Sequence, residues 1–281
     1  MKTAFMQFQF TKMQGLGNDF VLLDAREHPL SPSPAQLRQL ADRRYGVGCD
    51  QILLIDTPSL PGATVRYRVF NADGSPAQHC GNGVRCVARY LGLHDGLPPG
   101  SLRVEIGGRD YELQLGADGM VRVDMGEPDF RPAALPLQVA AEASRYPYGF
   151  GGTVWQFGAV SMGNPHAVLE VPDVDDAPVG TLGPALQAEA MFPERVNVGF
   201  MQVLDAGQIR LRVFERGAGE TPACGTGACA AVAVGRRWGR LGERVRVRLP
   251  GGDLIIDWPG PGHRLWMSGP AVSVFEGSIE L

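Results

Sequence analysis

The sequence predicts an α+β fold built from two similar halves. Its 38 glycine and 22 proline residues are scattered between short apolar runs, so turns are frequent and strands outnumber helices. Residues 66–70 (RYRVF) precede the motif that begins at Cys80, and residues 210–214 (RLRVF) precede the motif that begins at Cys224. The ends of these two runs are separated by 214 − 70 = 144 residues, and the two cysteines are separated by 224 − 80 = 144 residues. The second half therefore repeats the first, and 281 residues suffice for two ordinary domains.

Short apolar runs between turn residues predict the strands, and longer periodic stretches predict the helices. The strands are expected at 21–24, 51–55, 64–70, 102–106, 111–115, 167–171, 208–214, 245–249 and 254–258. The helices are expected at 35–43, 81–93, 185–190 and 225–238. The second and fourth helices begin directly after the cysteine motifs. Gly107-Gly108 and Gly251-Gly252 each join two strand runs, which predicts equivalent hairpins in the two halves.

Composition and cysteine number restrict the function classes. The formal net charge is −4 and no long basic block is present, so a nucleic-acid partner is not expected. No run approaches the roughly eighteen apolar residues of a membrane span, and the first residues alternate like a strand and do not resemble a signal peptide. Five cysteines, an odd number, favour reduced thiols over a disulfide framework. We expect a cytoplasmic protein with a small-molecule partner.

The pattern Cys-Gly-x-Gly before a helix indicates a reactive thiol at a helix start. The first N–H groups of a helix lack partners within it, and the backbone dipole places partial positive charge there. That environment is expected to lower the pKa of Cys80 and Cys224 and to stabilise a thiolate. The glycines that follow each cysteine let a carboxylate approach the exposed N–H groups. If the halves are related by an approximate two-fold axis, both thiols can flank one amino-acid-like ligand.

The five cysteines also admit structural and metal-binding interpretations. Cys86 and Cys229 lie inside the predicted helices, where a cysteine is most often a small core residue. Cys49 has no helix-start glycine motif after it and is interpreted as structural. The spacings Cys80/Cys86 and Cys224/Cys229 do not suit a zinc site, and no Cys-x-x-Cys redox motif is present. We expect no metal.

Side-chain amides occupy matched places upstream of the two cysteines. Asn18 and Asn164 lie 80 − 18 = 62 and 224 − 164 = 60 residues before them, and Gln51 and Asn197 lie 80 − 51 = 29 and 224 − 197 = 27 residues before them. A duplicated fold in which amides only keep turns in shape is the structural alternative for any one of them. Four matched amides together favour a shared ligand site.

Eight ordered motifs make the chain resemble the diaminopimelate epimerase family, over essentially its whole length. They are GLGNDF at 15–20, GCDQ at 48–51, FNADGS at 70–75, HCGNG at 79–83, MGNPH at 162–166, VNVGF at 196–200, ERGAGET at 215–221 and ACGTG at 223–227. The resemblance implies two pseudo-symmetric lobes, each a strand-rich half-barrel around a central helix, with the active site in the cleft between them. We expect an N-terminal lobe of residues 1–124 plus 270–281 and a C-terminal lobe of residues 125–269.

The resemblance also implies an activity: cofactor-independent interconversion of LL- and meso-2,6-diaminopimelate, in lysine and peptidoglycan-precursor biosynthesis, by a homodimer. Cys80 and Cys224 would be the two bases, one as thiolate and one as thiol, supported by His166 and Glu215. A single His is more often structural than catalytic, and only the Gly-Asn-Pro-His motif favours a catalytic role for His166. The substrate-binding positions implied are Asn18, Gln51, Asn71, Gly81, Asn82, Asn164, Asn197, Glu215, Arg216, Gly225 and Thr226.

Three rival functions remain open at this point. A proline or hydroxyproline racemase would use the same two thiols, but a proline ring offers no distant group for Glu215 and Arg216 to bind. An isomerase of the phenazine-pathway type would use a carboxylate base, which the two cysteines argue against. A non-catalytic amino-acid-binding protein would keep every contact residue, so only the intact thiol pair speaks against it.

Overall fold

A computed structural model describes residues 7–77 and 81–281 of the chain. The described residues form 18 β-strands and four α-helices, which confirms the α+β prediction. The chain divides into two compact units: one comprises Met1–Val123 and Gly269–Leu281, and the other comprises Asp124–Ser268.

The first unit contains two helices and a set of mostly antiparallel strands. Its strands are β1 (Gln7–Gly15), β2 (Asn18–Asp24), β3 (Gln51–Asp56), β4 (Val65–Asn71), β5 (Pro76–Ala77), β6 (Gly100–Ile106), β7 (Arg109–Leu115), β8 (Val121–Asp124) and β18 (Val272–Glu280), and its helices are α1 (Pro34–Ala41) and α2 (Gly81–His94). Ser33 caps α1 in a capping box with Gln36, and Pro34 occupies the first turn, where its missing N–H costs nothing.

The strands of the first unit follow a simple pairing scheme. β2 runs parallel to β3, with α1 in the crossover, and β3 is antiparallel to β4. β4 then pairs with β5 antiparallel and with β6 parallel, and β6 and β7 form a hairpin. Gly107 and Gly108 make its two-residue turn with positive φ values of 57° and 76°, as the favoured hairpin turn requires. β1 lies between β2 and β18 and is antiparallel to both.

The second unit repeats this arrangement. Its strands are β9 (Tyr146–Phe150), β10 (Thr153–Ser161), β11 (Pro165–Glu170), β12 (Asn197–Asp205), β13 (Gln208–Glu215), β14 (Gly219–Thr221), β15 (Arg244–Leu249), β16 (Gly252–Asp257) and β17 (Trp266–Gly269), and its helices are α3 (Val179–Gln187) and α4 (Gly225–Arg237). β11 is parallel to β12, β12 is antiparallel to β13, and β13 is parallel to β15. β15 and β16 form the second predicted hairpin. The pairing order is thus the same in both units.

Each unit buries one helix almost completely. In α4 every residue from Gly225 to Gly235 is buried except Thr226, and in α2 the buried stretch runs from Asn82 to Ala88. A helix that is covered on all sides forms the centre of a core and is not an amphipathic surface element. Both helices pack against strands of their own unit, so their first turns are positioned by the sheet around them.

All nine predicted strands are present, within a few residues of the expected bounds. The predicted helix at 185–190 is wrong in its bounds, because α3 spans Val179–Gln187 with Pro184 inside it. The glycines and the proline of this segment pointed to a later start. Of the nine strands outside the predicted set, β9, β10 and β12 each have a glycine or proline within them that reads as a turn signal. No helix in the described part of the chain combines the length and apolar character needed to cross a bilayer.

Gly158 allows α4 to approach β10, and its substitution is expected to destabilise the second unit. A Cβ at this position would come within 2.5 Å of Val234 Cγ1 and 2.9 Å of the Trp238 ring. Gly158→Ala should therefore lower the free energy of unfolding by about 1–3 kcal/mol, measured by urea denaturation. Gly149→Ala is the matched control, because nothing lies within 4 Å of the added Cβ, and it should change stability by less than about 0.5 kcal/mol. Equal effects of the two substitutions would contradict this packing argument.

Candidate active site

Cys224 begins the buried helix of the second unit. It is the N-cap residue of α4, with extended backbone angles of φ −121° and ψ 106°. The residue is 4% exposed, and its thiol donates a hydrogen bond to Glu215 Oε2 at 3.0 Å. Thr226 Oγ1 lies 3.7 Å from the same sulfur. A Cβ at Gly227 would approach the sulfur to 3.2 Å, so glycine at this position lets the sulfur lie close over the first turn.

The environment of Cys224 keeps its proton in place. Burial raises the pKa of the thiol well above its ordinary value, and the charge of Glu215 and the hydrogen bond to it raise the pKa further. The Thr226 hydroxyl and the N–H of Gly227 act in the opposite direction. Expecting a lowered thiol pKa at this helix start is therefore wrong for Cys224, because desolvation and a neighbouring carboxylate outweigh the helix-start donors. Cys224 is a neutral thiol at neutral pH.

Glu215 is held in place from two sides. The Thr221 hydroxyl donates to Glu215 Oε1, while Cys224 donates to Oε2. Glu215 ends β13, and Thr221 lies on the neighbouring β14, so the strand pairing sets the carboxylate beside the start of α4. Thr221 was not predicted as a site residue, although its place at the end of the ERGAGET motif was a usable signal.

His166 belongs to the same network but as a neutral donor. It is 1% exposed, and burial together with repulsion from Arg216 lowers the pKa of its imidazole to about 3. Its Nε2 lies 3.0 Å from Asn164 Oδ1, so the single proton of the neutral ring is donated to that oxygen. Asn164 Nδ2 in turn donates to Thr226 Oγ1 at 3.3 Å. With its oxygen accepting from Asn164, the Thr226 hydroxyl can direct its own proton to the Cys224 sulfur.

Asn197 and Arg216 lie next to this network. Asn197 is 3% exposed, its Nδ2 donates to the carbonyl oxygen of Pro165 at 3.0 Å, and its Oδ1 accepts from the backbone N–H of Arg216 at 2.8 Å. Arg216 Nη1 donates to the carbonyl oxygen of Glu194 at 3.0 Å. Asn197 therefore ties the start of β11 to the backbone of the residue after β13, and the contact with Glu194 holds the Arg216 side chain.

The predicted residues of the first unit also meet in pairs. Asn82, in the first turn of α2, donates through Nδ2 to Asn18 Oδ1 at 3.3 Å. Gln51 and Asn71 face each other across β3 and β4, and Gln51 Nε2 donates to Asn71 Oδ1 at 3.2 Å. Ser75 extends the second pair by accepting from Asn71 Nδ2 at 3.1 Å. Ser75 was not predicted as a site residue, but it ends the FNADGS motif.

Cys80 lies outside the described residues, as do Gln78 and His79. Its placement relative to Cys224 therefore stays a prediction. Gly81, the first described residue of α2, offers its carbonyl oxygen to Arg85 Nη1 at 3.4 Å. Within residues 7–77 and 81–281, no group of three His, Cys, Asp or Glu side chains is placed to hold a metal ion.

Comparison with known proteins identifies the family of the chain. The family model for diaminopimelate epimerase matches residues 10–131 and 158–274. The chain belongs to the diaminopimelate epimerase family. A diaminopimelate epimerase of Alkalilimnicola ehrlichii is 56% identical over 278 residues, covering 98% of this chain and 100% of the relative. Another from Halorhodospira halophila is 55% identical, covering 97% of this chain and 95% of the relative.

Solved structures place this diaminopimelate epimerase family member in a wider two-lobe α+β fold. A hydroxyproline epimerase from Agrobacterium vitis has a TM-score of 0.70 at 16% identity, covering 98% of this chain and 93% of that one. A PhzF-family phenazine biosynthesis protein from Bacillus anthracis has a TM-score of 0.68 at 16% identity, covering 98% and 99%. At these identities the likeness shows the fold alone, and it confirms the predicted fold class.

Glu215 raises the pKa of the Cys224 thiol, so removing its charge should shift thiol reactivity to lower pH. Alkylation of Cys224 by iodoacetamide, followed by mass spectrometry of its peptide, should show a lower pH midpoint in Glu215→Gln than in the wild type. Glu220→Gln is the control, because Glu220 pairs with Arg212 and is not in contact with Cys224. An unchanged midpoint in Glu215→Gln would show that the carboxylate does not govern this thiol.

Burial of neutral His166 should make the second unit sensitive to acid. Because its pKa is about 3 in the folded protein and near 6.5 ordinarily, the unfolded chain binds a proton that the folded chain does not between those values. Stability should fall as pH drops through that window, and His166 should contribute on the order of a few kcal/mol to the fall. Urea unfolding at pH 7 and pH 4 should give a smaller loss for His166→Gln than for the wild type. The exposed His28→Gln serves as control and should behave like the wild type.

Proposed function

We propose that the chain epimerises LL-2,6-diaminopimelate to the meso isomer with two thiols and no cofactor. The observation that carries the proposal is the Cys224 thiol, buried at the start of α4 and hydrogen-bonded to Glu215. Membership of the diaminopimelate epimerase family supports the substrate. Cys80 is proposed as the partner base, on the strength of its matched motif.

The proposed reaction moves one proton off the α-carbon and another onto its opposite face. The Cys80 thiolate forms a bond to the α-proton while the C–H pair of electrons stays on carbon, and the Cys224 thiol then delivers its proton to that carbon. The reaction ends with a Cys80 thiol and a Cys224 thiolate, which is the state that runs the reverse reaction. Proton exchange with solvent must restore the starting state before the next forward turnover.

Glu215 is proposed to set the basicity of Cys224. The α-proton of an amino acid is very weakly acidic. Raising the pKa of a thiol makes its thiolate a stronger base toward that proton. The same rise keeps Cys224 protonated at rest and assigns it the role of proton donor in the forward direction. When the proton leaves, the Thr226 hydroxyl at 3.7 Å and the N–H of Gly227 are the donors that limit the cost of the buried thiolate.

Recognition of the non-reacting end is proposed to rest on Arg216 and on the amides of both units. Arg216 presents a planar donor pair that suits a carboxylate, and Glu215 and the amide oxygens can accept from an ammonium group. Asn18, Gln51, Asn71, Asn82, Asn164, Asn197 and Thr226, with the backbone of Gly81 and Gly225, are the proposed binding set. Substrates without a second amino-acid group would leave such buried groups unpaired and bind poorly.

The assembly and setting of the enzyme are also part of the proposal. We infer that the two compact units act as the two lobes expected for residues 1–124 plus 270–281 and residues 125–269. A homodimer, a cytoplasmic location and a place in lysine and peptidoglycan-precursor biosynthesis follow from the family resemblance.

Incubation with LL-diaminopimelate in deuterated water tests the proposal. The purified protein should form meso-diaminopimelate that carries deuterium at the inverted α-carbon. Cys80→Ala and Cys224→Ala should each lower kcat by roughly 10²–10⁴-fold, because each removes one proton carrier. Cys229→Ala is the matched control, since Cys229 lies buried within α4 away from its first turn, and it should retain activity.

Three results would reject this function. Deuterium uptake into proline but not into diaminopimelate would favour a proline-type racemase. Binding of diaminopimelate without any exchange would favour a binding protein. Near-normal turnover by either single cysteine variant would rule out the two-thiol scheme.

A further inference from the structure

We propose that Asp50 and Arg85 are positioning residues that fix the orientation of the Asn18 and Asn82 side-chain amides for substrate binding. The inference deepens the proposed function, because it rests on Asn18 and Asn82 being substrate-binding residues. Neither Asp50 nor Arg85 is among the residues so far assigned to the site.

The four side chains form one continuous hydrogen-bonded chain in the first unit. Arg85 Nη2 donates to Asn82 Oδ1 at 2.9 Å, and Asn82 Nδ2 donates to Asn18 Oδ1 at 3.3 Å. Asn18 Nδ2 then donates to Asp50 Oδ2 at 2.9 Å. Every contact runs in the same direction, from the arginine to the aspartate.

The direction is set by the chemistry of the two ends. A guanidinium only donates and an ionised carboxylate only accepts, whereas an asparagine amide presents a donor or an acceptor depending on a half-turn about its last bond. The two ends of an amide have nearly the same shape, so packing alone does not choose between the orientations. Arg85 can only donate and therefore pairs with the oxygen of Asn82. Asp50 can only accept and therefore pairs with the nitrogen of Asn18. Both amides are thereby held in one orientation.

Each end is itself held firmly. Asp50 Oδ1 accepts from Arg43 Nη2 at 2.7 Å, and Asp50 Oδ2 also accepts from the backbone N–H of Asp19 at 3.1 Å. Arg43 is fixed by two further contacts to Asp19, at 2.9 and 2.7 Å.

The arginine end lies in the core. The Arg85 side chain is fully buried, at 0% exposure, and its Nε donates to the carbonyl oxygen of Pro270 at 3.2 Å. Arg85 Nη1 also donates to the carbonyl oxygen of Gly81 at 3.4 Å, so backbone acceptors hold the guanidinium that donates to Asn82. The amide orientation is thus built into the unit before any substrate arrives.

Fixed amides matter because Asn82 is buried, at 4% exposure, so water does not readily replace a missing partner there. An amide in the wrong orientation would set a donor against a donor, and the unpaired group would weaken binding. Pre-orientation removes this cost from the binding step. The expected signature of losing this pre-orientation is a higher KM with little change in kcat, because Asp50 and Arg85 act through the Asn18 and Asn82 amides, which are proposed to bind the substrate.

Asp50→Asn is the informative variant because it keeps the shape of the side chain but can place a hydrogen-bond donor where the carboxylate only accepts. The oxygen of the introduced amide should turn to the Arg43 guanidinium, which leaves the new N–H₂ group facing Asn18 and drives the Asn18 amide to flip. We expect KM for diaminopimelate to rise roughly tenfold while kcat stays within about threefold of the wild type. Arg85→Met should give a similar rise, and Arg85→Lys, which keeps a donor, should recover part of it.

Asp56→Asn is the matched control. It removes a carboxylate of the same unit that accepts from Arg68 Nε at 2.8 Å and has no link to Asn18. It should lower thermal stability to a similar degree and leave KM unchanged. Equal KM values for Asp50→Asn and Asp56→Asn would overturn the positioning role.

A spectroscopic readout separates this inference from the proposed function. In ¹⁵N-labelled protein without substrate, the side-chain amide signals of Asn18 and Asn82 should shift in Asp50→Asn and stay in place in Asp56→Asn. Unshifted signals in Asp50→Asn would overturn the inference. If the wild type fails to turn over diaminopimelate, the proposed function fails, while this measurement still decides whether Asp50 orients the amides.

Discussion

The constraint on which the second unit depends is the burial of α4 up to its first turn. A helix start inside a core leaves N–H groups without partners, and those groups must meet acceptors or remain unpaired at a cost of about 1–3 kcal/mol each. Small residues stand at this start: Cys224 is the N-cap residue, without a side-chain capping hydrogen bond, Gly227 admits the sulfur, and Thr226 is the one residue of the first three turns that is not buried. The core of the second unit and the proposed proton-transfer site therefore share one location.

That shared location explains why the thiol behaves differently from what its helix position suggests. A helix start favours a thiolate by a fraction of a positive charge, but full desolvation of a sulfur anion and a carboxylate 3.0 Å away are larger effects of opposite sign. The same balance applies to His166, where burial and Arg216 remove the positive form altogether. Cys224 and His166 are thus both buried, neutral and hydrogen-bonded to a neighbouring side chain.

Sequence reasoning predicted the repeated strands and the two central helices because these depend on local pattern. Residues 66–70 and 210–214 alternate in the same way, and β4 and β13 follow. Local pattern missed a strand and gave wrong helix bounds where a glycine or proline does not mark a turn or a helix start. Gly158 resembles a turn residue but lies within β10, where it gives α4 room to pack. Pro184 resembles the start of a helix but lies inside α3. Site residues came from motifs, whereas the sign of the Cys224 pKa shift depends on Glu215 being adjacent in space. No local pattern contains that information.

The backbone is duplicated in the two units, but the matched amides do not present the same atom to their partners. Asn18 and Asn164 occupy equivalent places, and each meets the residue two positions after its cysteine. Asn18 presents its oxygen to Asn82, whereas Asn164 presents its nitrogen to Thr226. Asp50 and Arg85 enforce the first orientation, whereas in the second the Asn164 oxygen faces Nε2 of neutral His166. Because the strands pair in the same order in both units, backbone geometry alone does not distinguish the two matched places. The different amide orientations do distinguish them, and these orientations involve side chains that lie one contact away from the predicted ligand positions.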